Sequence, residues 1–347
     1  MLVPLSIYIA VDGRWTTMSI PPPFRPQETG GWNQALAVLP VDLQRLLLAL
    51  DDTILAELEE VRLRIGQPIE LRFGVNSQYL KQGGGLTLMP PAAAVLSQAA
   101  LEHVMQQVTQ FSLYAVEEEL RKGFITLPGG HRIGVAGRIV TDGGHIRSIR
   151  SISSLNIRIA RAHPGMATPL RPWLADRGDG HPLSTLVISP PQCGKTTLVR
   201  DIARQWSENL VTRRRSPSKV VIIDERSEIA GMFEGRPQFA LGPRTDVLDG
   251  CPKAEGLLMA IRSLSPDIVV TDEIGKHGDV EAILEAANAG VAVITTAHAS
   301  SLASWRRRPH MEELFQAHAF ARYIILSRRR GPGTIECVLD GDGRSLT

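Results

Sequence analysis

Short apolar runs that each end in polar residues are the feature that most limits the fold open to this chain. They are "TLVIS", "KVVIID" ending at Asp224, "DIVVTD" ending at Asp272, "VAVIT" before "TAHAS", and "RYIILS" near the end. Uninterrupted β-branched runs suit strands buried on both faces, and their alternation with helical segments implies a parallel sheet. In an open parallel α/β sheet the carboxyl ends of the strands share one edge, where ligands bind. The segments after the first four runs, "PPQCGKTT", "ERSE", "EIGK" and "TAHAS", are therefore expected to converge on one site.

The first half has a different rhythm. From Trp32 a helical stretch leads into strands in which Val61, Leu63 and Ile65 alternate with Arg62 and Arg64, and "GQP" supplies a turn before "IELRF". "PAAAVLSQAALEHVMQQVTQFSLYAVEEELRKG" has helical spacing, and "FITLPGGHRIGVAGRIV" and "HIRSIRSISSLNIRIA" return to strand-like alternation. The expected order is a loose leader over 1–31, an α+β domain over 32–161, a linker or short helix over 162–184, and the parallel α/β domain over 185–347. With 347 residues, 43% hydrophobic and 21% charged, the chain can bury the cores of two folded domains.

Composition excludes several classes. Cys193, Cys251 and Cys337 form neither a disulfide framework nor a zinc-ligand spacing, which fits a reducing cytoplasm. The N-terminal apolar run lacks the basic flank and cleavage site of an export signal, and Met18 stands as an alternative start. No stretch reaches the ~18–20 apolar residues of a membrane helix, so membrane contact is expected to be peripheral or through partners. A formal net charge of +2 does not by itself call for a polyanionic partner.

"LVISPPQCGKTTLVR" is a near match to the phosphate-loop pattern G-x-x-x-x-G-K-[ST]: Ser189 stands at the first glycine, while Gly194, Lys195 and Thr196 are kept. Its context is right, between a buried strand and a helix. The backbone from Ser189 through Pro190, Pro191, Gln192 and Cys193 to Thr197 would surround phosphates. Lys195 would offset their charge, and Thr196 would ligate Mg2+. In "DIVVTDEIG", Asp272 can hold the metal shell and Glu273 can polarise water. Asp224 and Glu225 form another acidic pair, so either glutamate can serve as general base. His298 can sense the γ-phosphate through a hydrogen bond. Gln192 is unusual in such a cradle: if its backbone is left-handed, strain is expected to weaken ATP binding.

The order of phosphate loop, "IIDERSEIAG", "AIRSLSPDIVVTDEIG" and "AVITTAHAS" resembles the Walker A, Asp-box, Walker B and His-box series of type II and type IV secretion ATPases. Within that superfamily the chain is similar to the stage III sporulation protein AA family. The similarity runs from about Leu58 to the end through "VRLRIGQPIELR", "SLYAVEEELRKGFITLPGGHRIGVAGR", "IRSISSLNIRIAR" and "GPRTDVLDGCPKAEG". Gln192 departs from it, standing where that family usually has glycine. The resemblance implies a RecA-like P-loop NTPase core behind a smaller α+β N-terminal domain, ATP and Mg2+ as cofactors, and a homo-hexamer. It implies membrane-protein partners in a channel between mother cell and forespore, with the protein at the cytoplasmic, mother-cell face.

Arg132, Arg138, Arg147, Arg150, Arg158 and Arg161 are clustered toward the end of the first domain, where guanidinium groups can reach phosphate across a junction. Among them Arg150 is a candidate sensor, and Arg262, in "IRSLSPD", is a catalytic candidate. Two other readings remain. "VTRRRSPSK", "WRRRPH" and "LSRRR" would serve a nucleic-acid-binding NTPase, although no aromatic stacking motif accompanies them and no specific nucleic acid is expected. The altered loop would also serve a nucleotide-gated scaffold without efficient turnover.

Overall fold

The computed structural model describes residues 6–11, 14–19, 31–74, 76–110, 116–121, 123–212 and 216–347. β1 (Ser6–Val11) and β2 (Arg14–Ser19) pair antiparallel where a loose leader is expected. The rest of residues 1–30 lies outside the described residues.

The helical stretch after Trp32 is divided into α1 (Trp32–Leu36), α2 (Val41–Leu48) and α3 (Asp52–Glu57). Pro40, which lacks an N–H donor, marks one break. At the other, Asp51 caps α3 by accepting the Thr53 N–H at 2.8 Å. β3 (Glu60–Arg64) and β4 (Glu70–Phe73) make the expected hairpin, with Val61 opposite Leu71. β5 (Asn76–Leu80) and β6 (Leu86–Thr87) extend it on one side. After α4 (Gln98–Thr109) and α5 (Glu117–Arg121) come β7 (Phe124–Thr126), β8 (Arg132–Asp142) and β9 (His145–Arg158). The result is an antiparallel sheet in the order β6-β5-β4-β3-β9-β8-β7. Val61 and Leu63 point into a core shared with Leu47, Leu55, Leu101 and Val104 of the helices. The opposite face of β3 carries the Arg62–Glu60 and Arg64–Glu70 pairs at 3.1 and 2.9 Å.

The segment 162–184 is packed. It contains α6 (Arg171–Leu174), and Ala167, Leu170 and Leu174 are buried in the core of the second half. The Gly165 and Ala167 N–H groups donate to Asp201 at 3.1 and 2.8 Å.

The second half runs β10 (Thr185–Ser189), α7 (Lys195–Ser207), β11 (Val220–Asp224), β12 (Thr245–Asp249), α8 (Lys253–Leu264), β13 (Ile268–Glu273), α9 (His277–Asn288), β14 (Ala292–His298), α10 (Leu302–Arg306), α11 (Met311–Gln316), β15 (Arg322–Ser327) and β16 (Thr334–Asp340). All the expected runs are strands, joined in the order β12-β11-β13-β14-β10-β15-β16. Pairing is parallel except for the antiparallel β15–β16 contact. Side chains alternate between faces. Val187, Ile222 and Ile294 pack with Leu198 and Ile202 of α7, whereas Leu186, Ile188, Val221 and Val269 pack with Leu257 of α8 and Val280 of α9. This is a RecA-like α/β core, in which β14 lies between the phosphate-loop strand β10 and the acidic strand β13.

Candidate functional site

Strand register assembles the site. Ser189 at the end of β10 is level with His298 at the end of β14. Glu273 is level with Thr296 after a register slip between Val270 and Glu273, an irregularity of the kind that re-aims a side chain at a strand end. The polar tails border a cavity of about 1080 Å³. Arg158, Arg161 and His163 close it from the first sheet and the segment that follows.

Lys195, the first residue of α7, is 6% exposed. Its Nζ donates to the Ser189 carbonyl and hydroxyl at 3.2 Å each and to the Pro190 carbonyl at 3.0 Å. It lies 2.7 Å from His298 Nδ1, and His298 Nε2 lies 3.0 Å from Glu273 Oε2. An Nε2–H tautomer satisfies both contacts, accepting from the lysine and donating to the carboxylate. Burial pushes the Lys195 pKa down, opposed by Glu273. Thr196 and Thr197 line the cavity beside it. Cys193 is buried within the loop, and its carbonyl accepts the Gly333 N–H at 2.9 Å, so the β15–β16 turn backs the cradle. Gly194, at φ +84°, is favoured by its left-handed backbone and tight surroundings: a Cβ there would meet the Met166 methyl at 3.2 Å and Gly333 N at 3.3 Å.

Gln192 is left-handed at φ +59°, and its Oε1 accepts from Arg328 Nη1 at 3.3 Å. The left-handed conformation considered from the sequence is thus present, at a cost of roughly 1–2 kcal/mol relative to glycine. Offset by the greater unfolded-chain entropy of glycine, Gln192→Gly should raise the melting temperature by about 1–2 °C. Gln192→Gly is also expected to tighten ATP binding in a calorimetric titration, by up to about tenfold where the strain falls on the bound loop alone; equal affinity beside a raised melting temperature would mean that free and bound loops share it.

Asp272 is 8% exposed, and its backbone carbonyl accepts the Thr295 hydroxyl at 2.6 Å. Its Oδ1 lies 2.9 Å from Lys253 Nζ, off the direction of a hydrogen bond. Burial pushes its pKa up, opposed by Lys253. Glu225 faces the same cavity, 3.8 Å from Lys253 Nζ and 4.0 Å from Lys276 Nζ.

The structure moves three candidates away from this group. Asp224 is fully buried, and its carboxylate accepts the N–H groups of Glu228, Ile229 and Ala230 at 2.7, 3.0 and 2.8 Å. It shapes the loop that presents Glu225 and does not itself line the cavity. Arg150, on the outer half of the β8–β9 hairpin, and Arg262, at the end of α8, are exposed and do not line this chain's cavity either. The Asp224 loop is clasped from both sides. Arg200 donates to the Ile229 and Glu228 carbonyls at 2.5 and 2.7 Å, with its guanidinium 3.7 Å from the Phe239 ring centre. Burial pushes the pKa of Arg200 down to about 10. Arg132, from the first sheet, pairs with Glu228 at 3.2 Å and donates to the Arg226 carbonyl.

Lys253 is the residue that sequence reasoning missed. It lies inside "DGCPKAEG", whose resemblance was visible but whose lysine belongs to no motif with a known geometry.

The arrangement fits a magnesium nucleotide. A buried lysine with displaceable neutral partners stands at a helix start, Thr196 follows it, and Asp272 Oδ1 is buried without an aligned donor. The family described as "Sporulation stage III, protein AA" matches residues 32–346. Stage III sporulation protein AA of Bacillus subtilis strain 168 is 44% identical over 315 residues, covering 91% of this chain and 97% of that one. Among solved structures, the Legionella pneumophila ATPase DotB aligns with a TM-score of 0.55 at 16% identity, over 83% of this chain and 76% of that one. DotB of Yersinia pseudotuberculosis aligns with a TM-score of 0.52 at 14% identity, over 93% and 80%. These two similarities establish the fold.

Proposed function

The chain belongs to the sporulation stage III protein AA family, and on that premise we propose that it is an ATP-hydrolysing motor subunit of a secretion-like channel complex acting in endospore formation. The observation that carries this reading is the Lys195–His298–Glu273 chain of contacts, which ties a phosphate-binding cation to an acid two strands away.

When nucleotide enters, Lys195 exchanges its carbonyl and imidazole partners for phosphate oxygens, so that its ammonium meets anionic in place of neutral acceptors. His298 then loses one contact and can report that exchange to Glu273. Glu273 orients and deprotonates the attacking water, with Glu225 as the alternative base. Thr196 and Asp272 would hold Mg2+, which supplies charge neutralisation at the phosphate oxygens. Arg158 and Arg161 face the cavity from the same chain. Arg150 and Arg262, exposed and away from it, are suited to meeting the site of a neighbouring subunit in a homo-hexamer. Among the described residues no helix is long and apolar enough to cross a membrane. We assign contact with the membrane to channel partners, at the mother-cell, cytoplasmic face.

Turnover per subunit should therefore rise with protein concentration as rings form, and Arg150→Ala and Arg262→Ala should reduce the assembled rate. Turnover that stays constant from monomer to ring, with size measured in parallel, would remove the shared-site reading. ATPase assays with and without nucleic acid separate the other two: stimulation with salt-sensitive DNA or RNA binding would favour the nucleic-acid NTPase, and tight ATP binding without turnover the scaffold.

A further inference from the structure

Lys253 is placed where its own helix gains nothing from it. It occupies the first turn of α8, whose N-terminal end carries partial positive charge and favours anions. It is also 7% exposed, and a buried ammonium persists only when paired. The pairing is built by the fold. Gly256, one turn on, lets α8 approach β11 closely: a Cβ there would meet Ile223 Cγ2 and Cys251 Sγ at 2.8 Å each. That approach brings Nζ to the ends of β11 and β13, where it donates to the Glu273 carbonyl and lies 2.9 Å from Asp272 Oδ1 and 3.8 Å from Glu225 Oε2.

From this we infer that Lys253 is a built-in cation beside the carboxylates Asp272 and Glu225 that makes divalent-metal binding depend on nucleotide. The inference rests on the proposed role of Asp272 at the metal. With Lys253 in place, one unit of positive charge already offsets half the charge of the two carboxylates, and a free divalent ion would have to enter against that cation. A metal carried by a triphosphate brings its own negative charge and meets no such penalty. Lys253 is in this sense a positioning residue: it holds the carboxylates in place without touching the reacting atoms.

The test is Mn2+ binding to the full chain without nucleotide, followed by electron paramagnetic resonance. Native protein is expected to show no saturable binding in the micromolar range. Lys253→Gln keeps a donor for the Glu273 carbonyl but removes the charge, and should bind Mn2+ about tenfold or more tightly than native protein. Adding Asp272→Asn to Lys253→Gln should remove the gain, and Lys253→Arg, which keeps the charge, should behave as native. Equal Mn2+ affinity in native protein and a folded Lys253→Gln overturns the inference, as does a gain that survives Asp272→Asn. If Lys253→Gln does not fold, the native protein decides: micromolar Mn2+ binding without nucleotide overturns it. Failure to bind ATP would instead defeat the proposed function, and the Mn2+ comparison would still read out Lys253.

Discussion

Lys195→Ala is expected to lower ATP affinity by about 100-fold or more. The scale is that of removing one member of a desolvated charged pair, roughly 3–5 kcal/mol. The expectation follows from burial: at 6% exposure the ammonium is largely withdrawn from solvent, so its attraction for an incoming phosphate is weakly screened. Its present partners are carbonyls of Ser189 and Pro190, which stabilise the loop but are not the charge it is suited to meet. Calorimetric titration with ATP and Mg2+, beside a thermal melt to confirm folding, measures it. Retained affinity within a few-fold of the parent would mean that this cradle does not hold phosphate through Lys195.

Glu273→Gln is expected to divide binding from chemistry. The amide keeps the size of the side chain and can still accept from His298 Nε2, but it cannot take a proton. Turnover should fall by about 10²–10⁴-fold, the usual contribution of a general base, while ATP affinity stays within a few-fold. Glu225→Gln is the necessary companion, because Glu225 reaches the same cavity. The two differ in their neighbours: Glu273 is linked to Lys195 through His298, whereas Glu225 lies near Lys253 and Lys276. If only Glu225→Gln stops turnover, the base is Glu225. If neither does, the acidic strand ends have been assigned the wrong task.

Much of the parallel sheet was legible because β10, β11 and β13 are buried on both faces and therefore carry uninterrupted apolar runs. β12 and β16 escaped for the converse reason. Both are edge strands of mixed burial, and "TDVLD" and "TIECVLD" carry acids where inner strands carry valine. The helix expected after Trp32 overlooked Pro40 and Asp51, local signals that outweigh a favourable apolar spacing. Within the site, Lys195, Thr196, Asp272, Glu273 and His298 could be read because each follows a recognisable strand. Asp224 shares that position yet turns to its own backbone, since a buried carboxylate is drawn to the nearest unsatisfied N–H groups. Lys253 could not be read: its meaning depends on two strand ends that are neighbours only after folding.

The placement of β14 between β10 and β13 gives the cleft a gauge. Neighbouring strands are about 4.8 Å apart, so the lysine-bearing and acid-bearing strands are held roughly 10 Å apart by backbone hydrogen bonds alone. That span is insulated from ordinary sequence drift, because a substitution along the rim can alter charge, reach or polarity without moving the strands. Widening or narrowing the cleft would require gaining or losing a whole strand. The distance over which cation and acid cooperate is in this respect a property of topology, and evolution at the rim is confined to choosing what stands at either end of it.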